Sequence, residues 1–137
     1  ELLAPLHAAT AHQRLTQLEF LTPDRAVRRA VYGSADEAVT VVVNFGVADA
    51  MIETKLGGAA VLPPWGVVVE APRFAAFYAR HWGGQDYPDG ALFTLQSLDS
   101  QPLASSGQVR VFHGFGPATL VWRGRTWTVA REQTIAP

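Results

Sequence analysis

Hydrophobic and polar positions alternate with a period of two along most of this chain, starting just after the segment LTPDR (21–25). AVRRAVYG sets Val27, Arg29 and Val31 against Arg28, Ala30 and Tyr32. AVTVVVNFG puts Val39, Val41, Val43 and Phe45 on one face and Thr40, Val42 and Asn44 on the other. MIETKLGG alternates Ile52, Thr54 and Leu56 against Met51, Glu53 and Lys55. A period of two is the signature of half-buried strands, because successive side chains leave a strand on opposite sides. GVVVEA, ALFTLQSL, QVRVFHG, ATLVWRG and RTWTVAREQ continue the series. Gly, Pro, Asp or Ser clusters bound each run, as strand ends require. FAAFYARHW (74–82) fits a helix by the spacing of Phe74, Phe77 and Tyr78, but its aromatic content favours a strand. WRGRTW predicts a hairpin turning at Gly124. About eight or nine short strands without interleaved helices predict a mainly β protein, an antiparallel β-sandwich.

The first twenty residues read differently. In ELLAPLHAATAHQRLTQLEF, Leu3, Leu6, Leu15 and Leu18 fall near one face at helical spacing, with alanine between them. Pro5 is tolerated only in the first turn of such a helix. The expected organisation is therefore one N-terminal helix over 1–20 and a β-sandwich domain over 21–137. An amphipathic helix beside a sandwich needs a surface to lie on. Either a larger body of the same polypeptide or a homodimer through the helix would supply it.

Composition narrows the function classes. Hydrophobic residues make up 48% of the 137 and charged residues 17%, which places the chain among globular domains with a real core. Eleven basic and twelve acidic residues are scattered singly, so there is no basic stripe for nucleic acid and no polybasic contact for a membrane. No apolar run approaches the ~20 residues that span a bilayer. Without cysteine there is no disulfide, no thiolate nucleophile and no sulfur-ligated metal. Lys55 is the only lysine among eleven basic residues, which reads as the base composition of a bacterial-type genome. The chain starts at Glu1 without a signal-peptide pattern, and reads as a piece from which a leader or a larger upstream portion has been removed.

Candidate chemistry is sparse. Glycoside hydrolysis uses two carboxyl groups facing each other across a bond. Glu53, Glu70, Asp86, Asp89, Asp99 and Glu132 are present, but none stands in a motif that singles it out. The expected roles are solvated or turn-capping acids. His7 and His12 lie five apart and His81 and His113 are isolated, so no pair has metal-ligand spacing. No serine stands in a G-x-S-x-G turn, and HGFG and KLGG lack the glycine spacing that cradles a pyrophosphate. No catalytic residue, cofactor or metal is expected.

The aromatic residues carry the one binding expectation. A flat indole on a surface can receive the C–H face of a pyranose. Trp82 and Tyr87, within RHWGGQDYPDG, are the expected platform, with Gln85 and Asp86 bonding hydroxyl groups. Trp122 and Trp127 are expected to pair across their hairpin and enter the core. In LPPWG, Pro63 and Pro64 end a strand, Gly66 allows a positive φ, and Trp65 is expected to cap the open end of the sandwich.

The order FLTPDRAVRRAVYG, VTVVVNFG, AVLPPWGVVVEAPRFAAFYA resembles the C-terminal β-sandwich appended to the barrel of many glycoside hydrolases. There a strand ending in V-N-F and a polar strand precede a vLPP-aromatic-G-vvv element. SLDSQPLASSGQVRVFHGFG is similar to a turn-and-strand stretch of glycosidase accessory domains. The likeness covers about residues 18 to 132. It implies a non-catalytic accessory domain that braces an upstream catalytic domain of the same polypeptide and contacts carbohydrate. The 1–20 helix would be the last helix of that barrel. The family's catalytic carboxyl groups sit in the barrel, so none maps onto this chain. The alternative expectation is a stand-alone carbohydrate-binding module using Trp82 and Tyr87.

Overall fold

The computed structural model describes residues 14–33 and 35–137. Among them are twelve strands: β1 (Leu15–Phe20), β2 (Val27–Tyr32), β3 (Val39–Asn44), β4 (Ala50–Thr54), β5 (Gly58–Leu62), β6 (Val67–Glu70), β7 (Phe74–Trp82), β8 (Gln85–Ser97), β9 (Val109–Phe115), β10 (Thr119–Trp122), β11 (Arg125–Thr128) and β12 (Glu132–Ile135). A single 3-10 turn at Ala35–Glu37 is the only helical piece among the described residues. The fold is mainly β, and every strand pair is antiparallel. One sheet runs β1-β2-β3-β6-β7-β8-β9-β12, with the β4–β5 hairpin attached to β7. A two-stranded ribbon, β10–β11, is separate.

The expected helix over 1–20 is corrected where it can be seen. Residues 15–20 are strand β1, paired with β2, while residues 1–13 lie outside the described residues. A β-bulge accounts for the helical look of the spacing. Leu15 faces Tyr32 and Gln17 faces Val31, so Thr16 is an extra residue. The bulge shifts the phase by one, and Leu15 and Leu18, three apart, then share the face of Tyr32 and Ala30. The Thr16 hydroxyl is bonded to the carbonyls of Val31 (3.1 Å) and Gly33 (2.7 Å), which holds the bulge.

FAAFYARHW is a strand, as its aromatic content indicated. Its alternate residues feed two clusters. Ala75, Phe77 and Ala79 enter the large core, with Val42, Val68, Phe93, Leu95 and Val111 from the sheet. Ile52, Ala60 and Leu62 of β4–β5 and Leu120 and Trp122 of β10 join the same cluster. Phe74 and Ala76 enter a smaller cluster on the opposite face with Val39, Val69 and Ala71. β7 is thus central, apolar on both sides, which is why its periodicity was ambiguous.

Two tight hairpins turn on glycine, the one at Gly124 as the sequence indicated and one at Gly83–Gly84 that the structure adds. Gly83 and Gly84 join β7 to β8, and Arg123 and Gly124 join β10 to β11, all at positive φ. In the second, Trp127 lies opposite Leu120 and Trp122 opposite Arg125, so the two tryptophans are not direct partners. Trp122 is buried, whereas Trp127 packs at the edge of the core with the Arg125 guanidinium 4.8 Å from its ring centre.

Candidate functional site

The expected aromatic platform is not on the surface. Trp82 is 1% exposed and Tyr87 is fully buried. The Trp82 ring stacks on Phe77 at 4.4 Å and on Trp122 at 6.0 Å, both nearly parallel. The Tyr87 hydroxyl donates to the Thr119 carbonyl at 2.7 Å, and burial pushes its pKa up. Neither ring offers a face to a ligand from solvent. The cause is a break in strand phase: the β7–β8 register shifts between Ala79 and His81, so that Trp82, five residues after Phe77, enters the same core, and Tyr87 joins it across the Gly83–Gly84 turn. Gln85 and Asp86 do lie near solvent at the hairpin tip, but away from any exposed ring. Asp86 faces His81, with Oδ1 2.6 Å from Nδ1, and the Gln85 amide donates to the Asp86 carbonyl.

The remaining acids have structural partners or face solvent. Glu132 lies 3.5 Å from Arg110. Asp99 accepts from the Ser97 and Ser106 hydroxyls and from the amides of Gln101 and Gly107. The Ser106 hydroxyl first, then the Gly107 amide, hold its carboxyl well below the ordinary value of 3.8. Because the folded pKa is depressed, the contribution is present above the unfolded value and is lost as pH falls through the folded one. The turn 98–108 should therefore stay closed in mild acid and open only in strong acid. The protection of the Gly107 amide, its exchange relative to the intrinsic rate at each pH, checks this, and Asp99→Asn should make that protection insensitive to acid.

Trp65 is where the surface changes character. Its amide donates to the Asn44 carbonyl (2.7 Å), and the Gly66 amide donates to the Pro63 carbonyl (2.7 Å), closing the turn Pro63–Gly66. Pro64 and Trp65 are the central residues, and Trp65 carries φ 66°, the position that normally takes glycine. The expectation that Gly66 would take the positive φ is corrected. Gly66 is needed for another reason: a Cβ there would sit 2.7 Å from the Pro63 carbonyl oxygen and 2.9 Å from the Leu62 Cβ. Trp65 does not cap the core either, being 69% exposed. A bulky aromatic in a left-handed conformation costs about 1–2 kcal/mol, and such strain gathers at working surfaces.

The indole meets Phe45 edge-on at 5.7 Å, and Arg28 lies over Phe45 at 4.8 Å. The same guanidinium lies 5.7 Å from the Phe20 ring, with Arg25 5.4 Å from it. This ladder ends a longer row. Phe20, Arg28, Val43, Val67, Tyr78, Leu92 and Phe115 are successive cross-strand neighbours over β1, β2, β3, β6, β7, β8 and β9. At about 4.8 Å per strand the row spans roughly 29 Å. None of its residues is buried, and Phe20, Phe45, Phe115 and Trp65 are exposed. Alternation puts Val43 and Phe45 on one side of their strand, but only strand order and register make them neighbours of Arg28, Tyr78 and Phe115.

The other face of the same strands forms the floor of a cleft of about 720 Å³, walled by β4. Val27, Arg29, Thr40, Val42, Asn44, Val68 and Glu70 contribute to it from β2, β3 and β6. Comparison of the chain with protein-family models, with characterised proteins and with solved structures returns no match.

Proposed function

We propose that this chain is a non-catalytic β-sandwich accessory module that docks on a catalytic domain of the same polypeptide, of the glycoside hydrolase kind. The observation that carries the reading is the exposed aromatic–arginine ladder Trp65, Phe45, Arg28, Phe20 at the end of a continuous apolar row. Rigid aromatics and arginine are the residues that anchor protein interfaces, and contiguous exposed apolar surface is rare on a lone domain. The partner's matching surface is apolar at its centre, with carboxyl groups facing Arg25 and Arg28.

The size of the natural polypeptide and the accessibility of Trp65 test this together. A band several times larger than 14.8 kDa is expected in an immunoblot of source-cell extract. In the longer polypeptide Trp65 should be shielded from acrylamide, whereas the chain alone should show one strongly quenched component that Trp65→Phe removes. A natural band near 14.8 kDa, or equal quenching in both forms, overturns docking.

Trp65 also favours a second reading, carbohydrate contact through this ring. Retardation by a polysaccharide in a native gel, lost in Trp65→Ala and kept in Gln85→Ala, supports it. An unretarded protein across a broad polysaccharide panel overturns it.

A further inference from the structure

The cleft lies on the opposite face of the sheet from the aromatic ladder, and its chemistry is different. Its volume, about 720 Å³, is that of a small-molecule site. Val27, Val42 and Val68 supply an apolar floor, and Ala50 and Ile52 of β4 the facing wall. The acids at the cleft are already engaged. Glu70 is buried, and its two oxygens accept the amides of Lys55 (3.0 Å) and Leu56 (2.6 Å). Asp24 accepts from the Thr22 hydroxyl and the Ala26 amide, and Asp49 is paired with Arg80 at 2.9 Å. Glu53 shares the outer side of β4 with the exposed Met51. Asn44 is saturated by the carbonyls of Ala48, Leu62 and Pro63 and the Gly46 amide.

Donors are left over. Arg29 stands beside Val42 in the register, its Nε buried without a partner and its Nη1 3.9 Å from Glu19, beyond hydrogen-bond reach. The Thr40 hydroxyl, one row away and opposite Glu70, has no partner among the described residues. A guanidinium edge offering Nε–H and Nη–H in parallel fits a carboxylate with two bonds. Lys55 also lines the cleft, at its exposed rim, so Arg29 is the cation at the apolar floor. With Glu19 3.9 Å from Arg29 and Glu70 two strands away, a single negative charge fits that floor better than a dianion. We propose that the cleft binds a small organic monocarboxylate, its charged end on Arg29 and its apolar body against Val27, Val42, Val68 and Ile52.

Titration of the protein with hexanoate and benzoate, read on the methyl resonances of these four residues, tests the site. Saturable shifts are expected at millimolar ligand, at least tenfold weaker with hexanamide, which keeps the shape and loses the charge. Arg29→Gln should weaken hexanoate at least tenfold and Arg29→Lys partly restore it, while Trp65→Ala leaves it unchanged. Ala50→Phe, which fills the cleft and leaves the charges in place, should abolish the shifts. Unsaturated shifts at roughly 20 mM, equal affinity for hexanamide, or an unaltered Arg29→Gln titration overturns the proposal.

Discussion

Replacing Trp82 by alanine is expected to destabilise the protein by about 3–5 kcal/mol, the range for emptying a buried tryptophan site. The ring is stacked on Phe77 and Trp122, and its indole edge lies where a Cβ on Gly57 would come within 2.3 Å. Little around it can move in, because Phe77 is held in turn by Tyr87 and Phe93. Domains of this size are stable by roughly 5–15 kcal/mol, so the variant should keep its fold only in mild conditions. Urea denaturation at constant slope measures the loss. Trp65→Gly is the contrast. It removes an equally large side chain but relieves the positive φ, and should change stability by no more than about 1 kcal/mol. If Trp82→Ala were as mild as Trp65→Gly, the assignment of one ring to the core and the other to the surface would be wrong.

The second large effect is expected at Asn44. It is 1% exposed, and its amide nitrogen donates to the carbonyls of Ala48 (2.8 Å), Leu62 (3.0 Å) and Pro63 (3.2 Å). Its Oδ1 accepts the Gly46 amide at 2.9 Å, and its main chain bonds Trp65 and Gly66. One side chain thus ties the β3–β4 loop to the turn that presents Trp65. Asn44→Ala leaves several buried carbonyls without donors, at about 1–3 kcal/mol for each group that water cannot reach. A total loss of about 3 kcal/mol is expected. Thermal unfolding gives the magnitude, and loss of the distinct Trp65 fluorescence in the still-folded variant gives the location. Asn44→Asp should cost at least as much, because a carboxylate oxygen would then face the same three carbonyl oxygens in a buried place.

Asn44 also marks the limit of sequence reading. The V-N-F end of its strand is visible as a motif, and the alternation around it assigns Val43 and Phe45 to one side. Nothing local says that the amide reaches residues eighteen and nineteen positions away. The same holds for Arg29, an ordinary polar position of an alternating strand until strand order places Thr40 and Glu70 beside it and β4 across from it.

The sequence by itself determined the mainly β character, the antiparallel hairpin at Gly124, and the strand nature of 74–82. Each follows from local steric preference or a period of two, which nearby residues settle. Tertiary structure decided which aromatic rings face solvent. Trp82 and Tyr87 sit beside a glycine turn that suggests exposure, yet a register shift between Ala79 and His81 changes the strand's phase and sends them inward onto Phe77. Trp65 follows two prolines that suggest a plug, yet a positive φ turns it outward onto Phe45. Tertiary structure also replaced a helix by a strand at 15–20, because one bulge gives a strand the three-residue spacing of a helix face. Alternation names the two sides of a strand; the order of strands and the register between them name which side meets the core.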